Sequence, residues 1–355
     1  MDGIRSMARL RSAARRLFGF ARASCLLASL AALIGVPIVT IHAQPSISWE
    51  RWQHLEGIVD VGGPRSDGAL VAMAAGRLFL VSTDGTTSPF AAGGDGYSGP
   101  PEAEPYFVVA PALPSQSPDC GFVRDELFIL DLGTPTGVIR VDAAGRASRF
   151  ATTPSADFLS GIAFDTTGNF GYALLVTGQR DDRTIVLAID CRGTVTTVTD
   201  MAPPVEGGIA VAPAGFGPYG GDLIAPDELT GRIWAISADG TTRLVAVPDL
   251  PTGGDTGVES MGFVPAGFNA AGFAYLADRG TPDNPFPGTD SILRLSASTL
   301  AAAGVQAGDL VVSTEGEGFT VAVHCEATCS ASRIAQGPPG AHIEGHIVLG
   351  ASTSP

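Results

Sequence analysis

Past its first forty or so residues, the chain is written in short runs of apolar and β-branched residues. Each run is broken within a few positions by Gly, Pro, Asp or Ser, as in Leu70-Val71-Ala72-Met73-Ala74 and Arg232-Ile233-Trp234-Ala235-Ile236. Runs of this length between turn residues predict strands rather than helices. One local pattern recurs as Val81-Ser82-Thr83-Asp84-Gly85, Val141-Asp142-Ala143-Ala144-Gly145, Ile189-Asp190-Cys191-Arg192-Gly193 and Ile236-Ser237-Ala238-Asp239-Gly240. Each copy reads as a strand, a tight turn ending in Gly, and another strand. A second pattern is an acid or Ser ahead of a short apolar strand. It appears at Glu56-Gly57-Ile58, Glu104-Pro105-Tyr106, Ser160-Gly161-Ile162, Glu206-Gly207-Gly208-Ile209, Glu259-Ser260-Met261 and Glu317-Gly318-Phe319, at intervals of 46 to 58 residues.

A repeat of this size holding several short strands predicts an all-β, six-bladed β-propeller, one blade for each acid-led start. Blade six, counted from Glu317, has strands near 318–324, 329–335 and 342–349 and no room for a fourth. The segment Ile47 to Gln53 is expected to supply it, so that the N-terminal strand closes the last blade and leaves no open edge. On this count Glu344-Gly345, which imitates the blade-start motif, falls on a third strand and outside the ring. Seven shorter blades are the alternative reading.

The first 43 residues change the picture of where the protein goes rather than how it folds. Arg5, Arg9, Arg11, Arg15, Arg16 and Arg22 precede an apolar run from Cys25 to Ile41, and Ile41-His42-Ala43 offers a small residue for cleavage. This predicts a secretory signal peptide over 1–43, by the general or the twin-arginine route, and one propeller domain over 44–355 in the periplasm or outside the cell. No other stretch is apolar enough to span a membrane. The formal net charge of −15 becomes −20 once the six Arg and the one acid (Asp2) of that segment are removed. So acidic a chain argues against nucleic-acid partners and for cation binding, in a monomer. Cys120, Cys191, Cys325 and Cys329 remain, and an even number in an exported protein favours disulfides. The turn positions predict Cys120–Cys191 and Cys325–Cys329, with a four-cysteine metal site as the alternative.

Three segments, Glu206-Gly207-Gly208-Ile209-Ala210-Val211, Gly221-Asp222-Leu223-Ile224 and Gly231-Arg232-Ile233-Trp234-Ala235-Ile236, resemble the six-bladed propellers of the gluconolactonase/regucalcin group and the related NHL-repeat proteins. The resemblance implies a divalent ion held by a blade-start Glu with Asn and Asp from later blades, and a carboxylate acting as base on a lactone or ester. Here Asn occurs only as Asn169, Asn269 and Asn284, none at a blade start.

In a propeller the first strand of each blade lines the channel, so Glu56, Glu104, Glu206, Glu259 and Glu317 are expected to converge at one mouth with Ser160. Two unit charges about 6 Å apart cost roughly 3 kcal/mol at an effective dielectric of 20. Such a ring therefore calls for a cation, protonation or Arg partners. All-oxygen ligands suit Ca²⁺, and Mg²⁺ less well. No organic cofactor is indicated. Asp131, Asp227 and Asp278 end second strands near the same face, and Asp227 or Asp278 would be the general base if the protein is an enzyme. The long loops 93–101 and 279–288 are expected to overhang the mouth. His342, Glu344 and His346 alternate and read as a solvated strand face. Gly96-Tyr97-Ser98-Gly99-Pro100 lacks the last Gly and the context of a nucleophile elbow. The leading expectation is thus an exported propeller that binds a small molecule, sugar or protein at an acidic mouth. The alternative is a metal-dependent hydrolase of lactones or esters.

Overall fold

The computed structural model describes residues 47–268 and 272–350. The expected signal segment, its cleavage point and Asn269 lie outside the described residues. After β1 (Glu50–His54), four blades follow in plain chain order. They are β2 (Ile58–Gly62), β3 (Leu70–Ala74), β4 (Arg77–Val81) and β5 (Thr87–Phe90); then β6 (Phe107–Val109), β7 (Leu127–Asp131), β8 (Gly137–Val141) and β9 (Ala147–Thr152); then β10 (Phe158–Phe164), β11 (Leu174–Arg180), β12 (Arg183–Ile189) and β13 (Val195–Ala202); then β14 (Ala210–Val211), β15 (Leu223–Asp227), β16 (Arg232–Ile236) and β17 (Thr242–Ala246). Within each blade, neighbours pair antiparallel, in register through hairpin turns. The innermost β2 is buried at every position, whereas the outermost β5 and β13 are mostly exposed or half-buried. This gradient is why the inner runs are apolar and the outer strands are rich in Thr, Ser and Arg.

Blades five and six are interleaved. β18 (Val258–Phe263) opens blade five, but the chain then departs through β19 (Phe273–Asp278), β20 (Ser291–Ser296) and a short helix, α1 (Ala297–Ala302). It returns with β21 (Leu310–Thr314), β22 (Thr320–Cys325) and β23 (Cys329–Ala335), giving the sheet β18-β21-β22-β23. The sixth sheet is β24 (Ile343–Gly350) innermost, then β19, β20 and β1. The N-terminal strand does close the last blade, with Glu50 opposite Arg294 and His54 opposite Ser291. Trp49, 3% exposed, anchors this closure through its indole N–H, which donates to Thr320 Oγ1 at 2.8 Å.

The expected strand count of blade six is corrected. The strands near 318–324 and 329–335 complete blade five, and Glu317 sits in the β21–β22 turn rather than at a blade start. The segment near 342–349 is the innermost strand of blade six. The acid-led pattern repeats locally, but which sheet a strand joins is decided by long-range pairing. The disulfides join Cys120 to Cys191, with Cα atoms 5.7 Å apart, and Cys325 to Cys329 across the β22–β23 turn, with Cα atoms 4.1 Å apart. The first ties blade two to blade three, where Phe122, Phe128, Phe150 and Phe164 pack edge to face with centroids 4.8–5.5 Å apart at the closest pairs.

Candidate metal centre at the channel mouth

The six innermost strands, β2, β6, β10, β14, β18 and β24, ring a central channel. Where these strands begin, a cavity of about 280 Å³ is lined by Glu104, Tyr106, Glu206, Glu228, Asp255, Glu259, Arg279, Thr281, Asn284, Glu315, His342 and Glu344, with Gly254. Its carboxylates far outnumber its cationic groups, so the charge anticipated from the sequence is concentrated here.

The floor is built by backbone contacts between blades five and six. Glu315 follows β21; its N–H donates to Gly257 O at 2.7 Å, and its carbonyl accepts from Ile343 N at 2.9 Å. His342 precedes β24, and its N–H donates to Asp278 Oδ1 at 2.8 Å. These bonds bring His342 Nε2 to 3.0 Å from Glu315 Oε1 and 3.2 Å from Glu344 Oε1. One donor atom from each of Glu315, His342 and Glu344 lies within 4.8 Å of the others, and all three residues are buried. An imidazole nitrogen with two carboxylate oxygens is a set that can chelate a divalent metal.

Beside this set, the Tyr106 hydroxyl lies 2.6 Å from Glu259 Oε1 and 2.6 Å from Glu344 Oε2. A phenol has one hydrogen, so both contacts are hydrogen bonds only if one carboxyl also carries a proton. Burial, reinforced by the charge of Glu344, pushes Glu259 well above the ordinary carboxyl range, against the opposing pull of the Tyr106 bond. Burial and the neighbouring Glu344 and Glu228 also push Glu315 far up, and Glu206 is raised by burial and by the charges of Glu228 and Glu344.

Two glycines permit this crowding. Gly207 has φ +85°, and a Cβ there would collide with the backbone and carboxyl of Glu259. Gly345 has φ +69°, and a Cβ there would collide with Asp60. Asp60 is fully buried one layer deeper. Its carboxylate accepts from the N–H groups of Val61, Phe107 and His346 at 2.8–3.0 Å and lies 3.0 Å from His346 Nδ1. His346 Nε2 reaches the Ile162 carbonyl at 2.9 Å, so both ring nitrogens face acceptors and the ring is an imidazolium. Tyr106 packs edge-on to His346 with centroids 6.2 Å apart. The two rings separate the mouth from a second cavity of about 190 Å³ at the other ends of the inner strands.

Of the acids expected at the mouth, Glu104, Glu206 and Glu259 line it. Glu56 is exposed and lies outside it, and Glu317 is half-buried, with its N–H bonded to Ala341 O at 2.9 Å. Ser160 is buried on β10, 3.4 Å from Thr177 Oγ1. Asp227 is committed to the Thr230 hydroxyl and N–H, and Asp278 to the Thr289 hydroxyl and the His342 N–H. Neither is among the residues that line the cavity, and both carboxylates are engaged in hydrogen bonds within their own loops and to His342. Asp131 binds Arg149 at 2.8 Å. Loop 279–288 does border the mouth, whereas loop 93–101 contributes no lining residue.

The solvated face expected for His342, Glu344 and His346 is also corrected: they are 2%, 4% and 9% exposed. The discounted blade-start likeness of Glu344-Gly345 was the signal, since Glu344 occupies the blade-start position of blade six. Nothing in the sequence pattern marked Glu315 or Glu228, and Tyr106 stood out only as the strand residue of the Glu104-Pro105-Tyr106 blade start. The all-oxygen Ca²⁺ ring gives way to a set with one imidazole, from which Ca²⁺ in particular does not follow, because Ca²⁺ takes six to eight oxygens.

No family model matches the chain, and no curated protein does. Solved structures similar to it include virginiamycin B lyase from Staphylococcus aureus, 13% identical over 80% of this chain and 88% of that one, with a TM-score of 0.43. A gluconolactonase from Xanthomonas campestris is 12% identical over 65% and 69%, TM-score 0.39. The calcium-binding protein regucalcin from Agrobacterium tumefaciens is 14% identical over 67% and 74%, TM-score 0.39. The six-bladed architecture rests on the six sheets themselves.

Proposed function

We propose that the mouth is a divalent-metal centre serving an enzyme that hydrolyses a small lactone or ester. The observation that carries this reading is the convergence of Glu315, His342 and Glu344 at the floor of a cavity large enough for a small molecule. Three protein ligands leave coordination positions open; the imidazole suits Zn²⁺, the two carboxylates suit Mn²⁺, and a nitrogen ligand does not match the all-oxygen shell of Ca²⁺. A bound ion would act as a Lewis acid toward a carbonyl oxygen. The chain's own groups supply the proton traffic. Glu206 lines the cavity with no side-chain hydrogen bond among the described residues, and its raised affinity for protons suits a general base. Glu259, bonded to Tyr106, is the proton donor to the leaving oxygen. The basic and apolar N-terminal run, together with two disulfides, supports an exported location.

The test is calorimetry of EDTA-treated protein against Mn²⁺, Zn²⁺, Mg²⁺ and Ca²⁺, followed by a lactone and ester panel with the preferred ion. Glu206→Gln should bind metal normally and lose at least 100-fold in kcat, within the usual range for general base catalysis. Absence of metal binding in all four titrations, or unchanged turnover in that variant, would refute the corresponding part of the reading.

A further inference from the structure

Among the described residues, Arg279 is the one permanently cationic side chain in the lining of the mouth. It directly follows β19, and its N–H donates to His342 O at 2.7 Å, which ties its backbone to the metal-centre residue. The guanidinium reaches from the Glu104 carboxylate on the rim to Glu344 Oε1, 3.5 Å away, with Nη2 3.5 Å from Glu102 O. The last two contacts are long for charge-assisted hydrogen bonds, which close to about 2.7–2.9 Å, so the donor edge is only partly used. The same loop presents Thr281, whose Oγ1 is buried without a hydrogen-bond partner, and Asn284, whose Oδ1 is occupied by Phe286 N at 2.8 Å. The loop is braced by Thr281 N to Pro287 O at 2.8 Å and Gly288 N to Gly340 O at 2.8 Å. One wall of an otherwise acidic cavity is therefore a fixed row of hydrogen-bond donors.

We propose that Arg279, flanked by Thr281 and Asn284, is the specificity element of the mouth and takes the carboxylate or carbonyl oxygen of a small hydroxycarboxylate or its lactone. The ligand's other oxygen reaches the Glu315–His342–Glu344 centre, so the proposal rests on the metal reading above. Guanidinium suits this task because its planar fork matches a carboxylate with two parallel N–H bonds, which an ammonium cannot reproduce. Glu104, whose side chain is 43% exposed on the rim, is the internal competitor that the ligand displaces.

The experiment is calorimetry of Mn²⁺-loaded protein against sodium glycolate, with ethylene glycol as the uncharged control, on wild type, Arg279→Gln, Arg279→Lys and Glu104→Gln. Glycolate should bind the wild type and ethylene glycol should not. Arg279→Gln should weaken glycolate at least tenfold, Arg279→Lys should restore part of the loss, and Glu104→Gln should tighten glycolate several-fold. Mn²⁺ itself should bind Arg279→Gln as well as wild type or several-fold better, because a cation beside Glu344 is gone. Equal glycolate affinity in Arg279→Gln overturns the proposal. Loss of Mn²⁺ binding in both Arg279 variants also overturns it, by making the residue structural. If wild type binds no divalent ion, the glycolate titrations are run on metal-free protein. Arg279-dependent binding there keeps this subsite and sinks the metal reading, and no binding sinks both.

Discussion

Asp60→Asn offers a sharp test of how the propeller's centre is held. Asp60 on β2 is the counter-ion of the His346 imidazolium on β24, and His346 in turn holds the Ile162 carbonyl on β10. The pair thus pins the inner strands of blades one, six and three. The substitution is nearly isosteric. It removes the negative charge and replaces one oxygen with an NH₂ group facing the Phe107 N–H or the His346 Nδ1–H, a donor against a donor. Breaking one partner of a buried ion pair costs about 3–5 kcal/mol. For a domain of this size, with an unfolding entropy of roughly 2 cal/mol/K per residue, that corresponds to a Tm lower by about 5–8 °C. The loss should depend on pH. Burial pushes the His346 pKa down, but the Asp60 charge and hydrogen bonds, with the Ile162 carbonyl, outweigh it and leave the pKa raised. A raised folded pKa contributes stability that is fully present below the ordinary value near 6.5 and is lost as pH rises through the folded value. The gap between wild type and Asp60→Asn should therefore be widest near pH 5.5 and narrow by pH 9. Scanning calorimetry at both pH values measures it. A gap under about 1 kcal/mol, or one that is the same at both pH values, would refute a charged pin.

The mouth should show a related dependence. Glu259, Glu315 and Glu206 all have raised folded pKa values, so the stability they allow is present below the ordinary carboxyl range and fades as pH rises through those values. The Tm of EDTA-treated protein should fall between pH 5 and pH 8, and saturating Mn²⁺ should remove most of that fall; parallel curves with and without the ion would count against the centre. Tyr106→Phe removes the hydroxyl between Glu259 and Glu344 and should destabilise the metal-free protein by about 1–3 kcal/mol, measured by denaturant unfolding. Loop-closure entropy gives Cys120–Cys191, 71 residues apart, roughly 4 kcal/mol, against about 2 for Cys325–Cys329, 4 residues apart. The paired Cys→Ser variants should fall in that order by chemical denaturation. Trp49→Ala should cost about 3–5 kcal/mol by loosening the closing strand, and an exposed-surface cost below 0.5 would contradict its burial.

What the sequence determined by itself is what depends on neighbours along the chain. Gly85, Gly145, Gly193 and Gly240 all take positive φ at turns, as the strand-turn-strand repeat required. The apolar runs became inner strands, the number of blades followed from the period, and the N-terminal strand found the last sheet because an uncovered edge must be paired. The acidic mouth was legible as an excess of carboxylates at blade starts, and Glu104, Glu206 and Glu259 reached it. Only tertiary structure decided which sheet each strand of 258–350 joins. An excursion of two strands and a helix between β18 and β21 carries no local mark, since a hairpin pairs with its own turn wherever it later docks. That docking placed β24 innermost, moved Glu317 into a turn, and set Glu344 and His342 against Glu315. Glu315 follows a strand that repeats nothing upstream, and its role exists because the backbone of blade six bonds to it. A metal centre is a matter of distances among residues far apart in the chain, and only folding sets those distances.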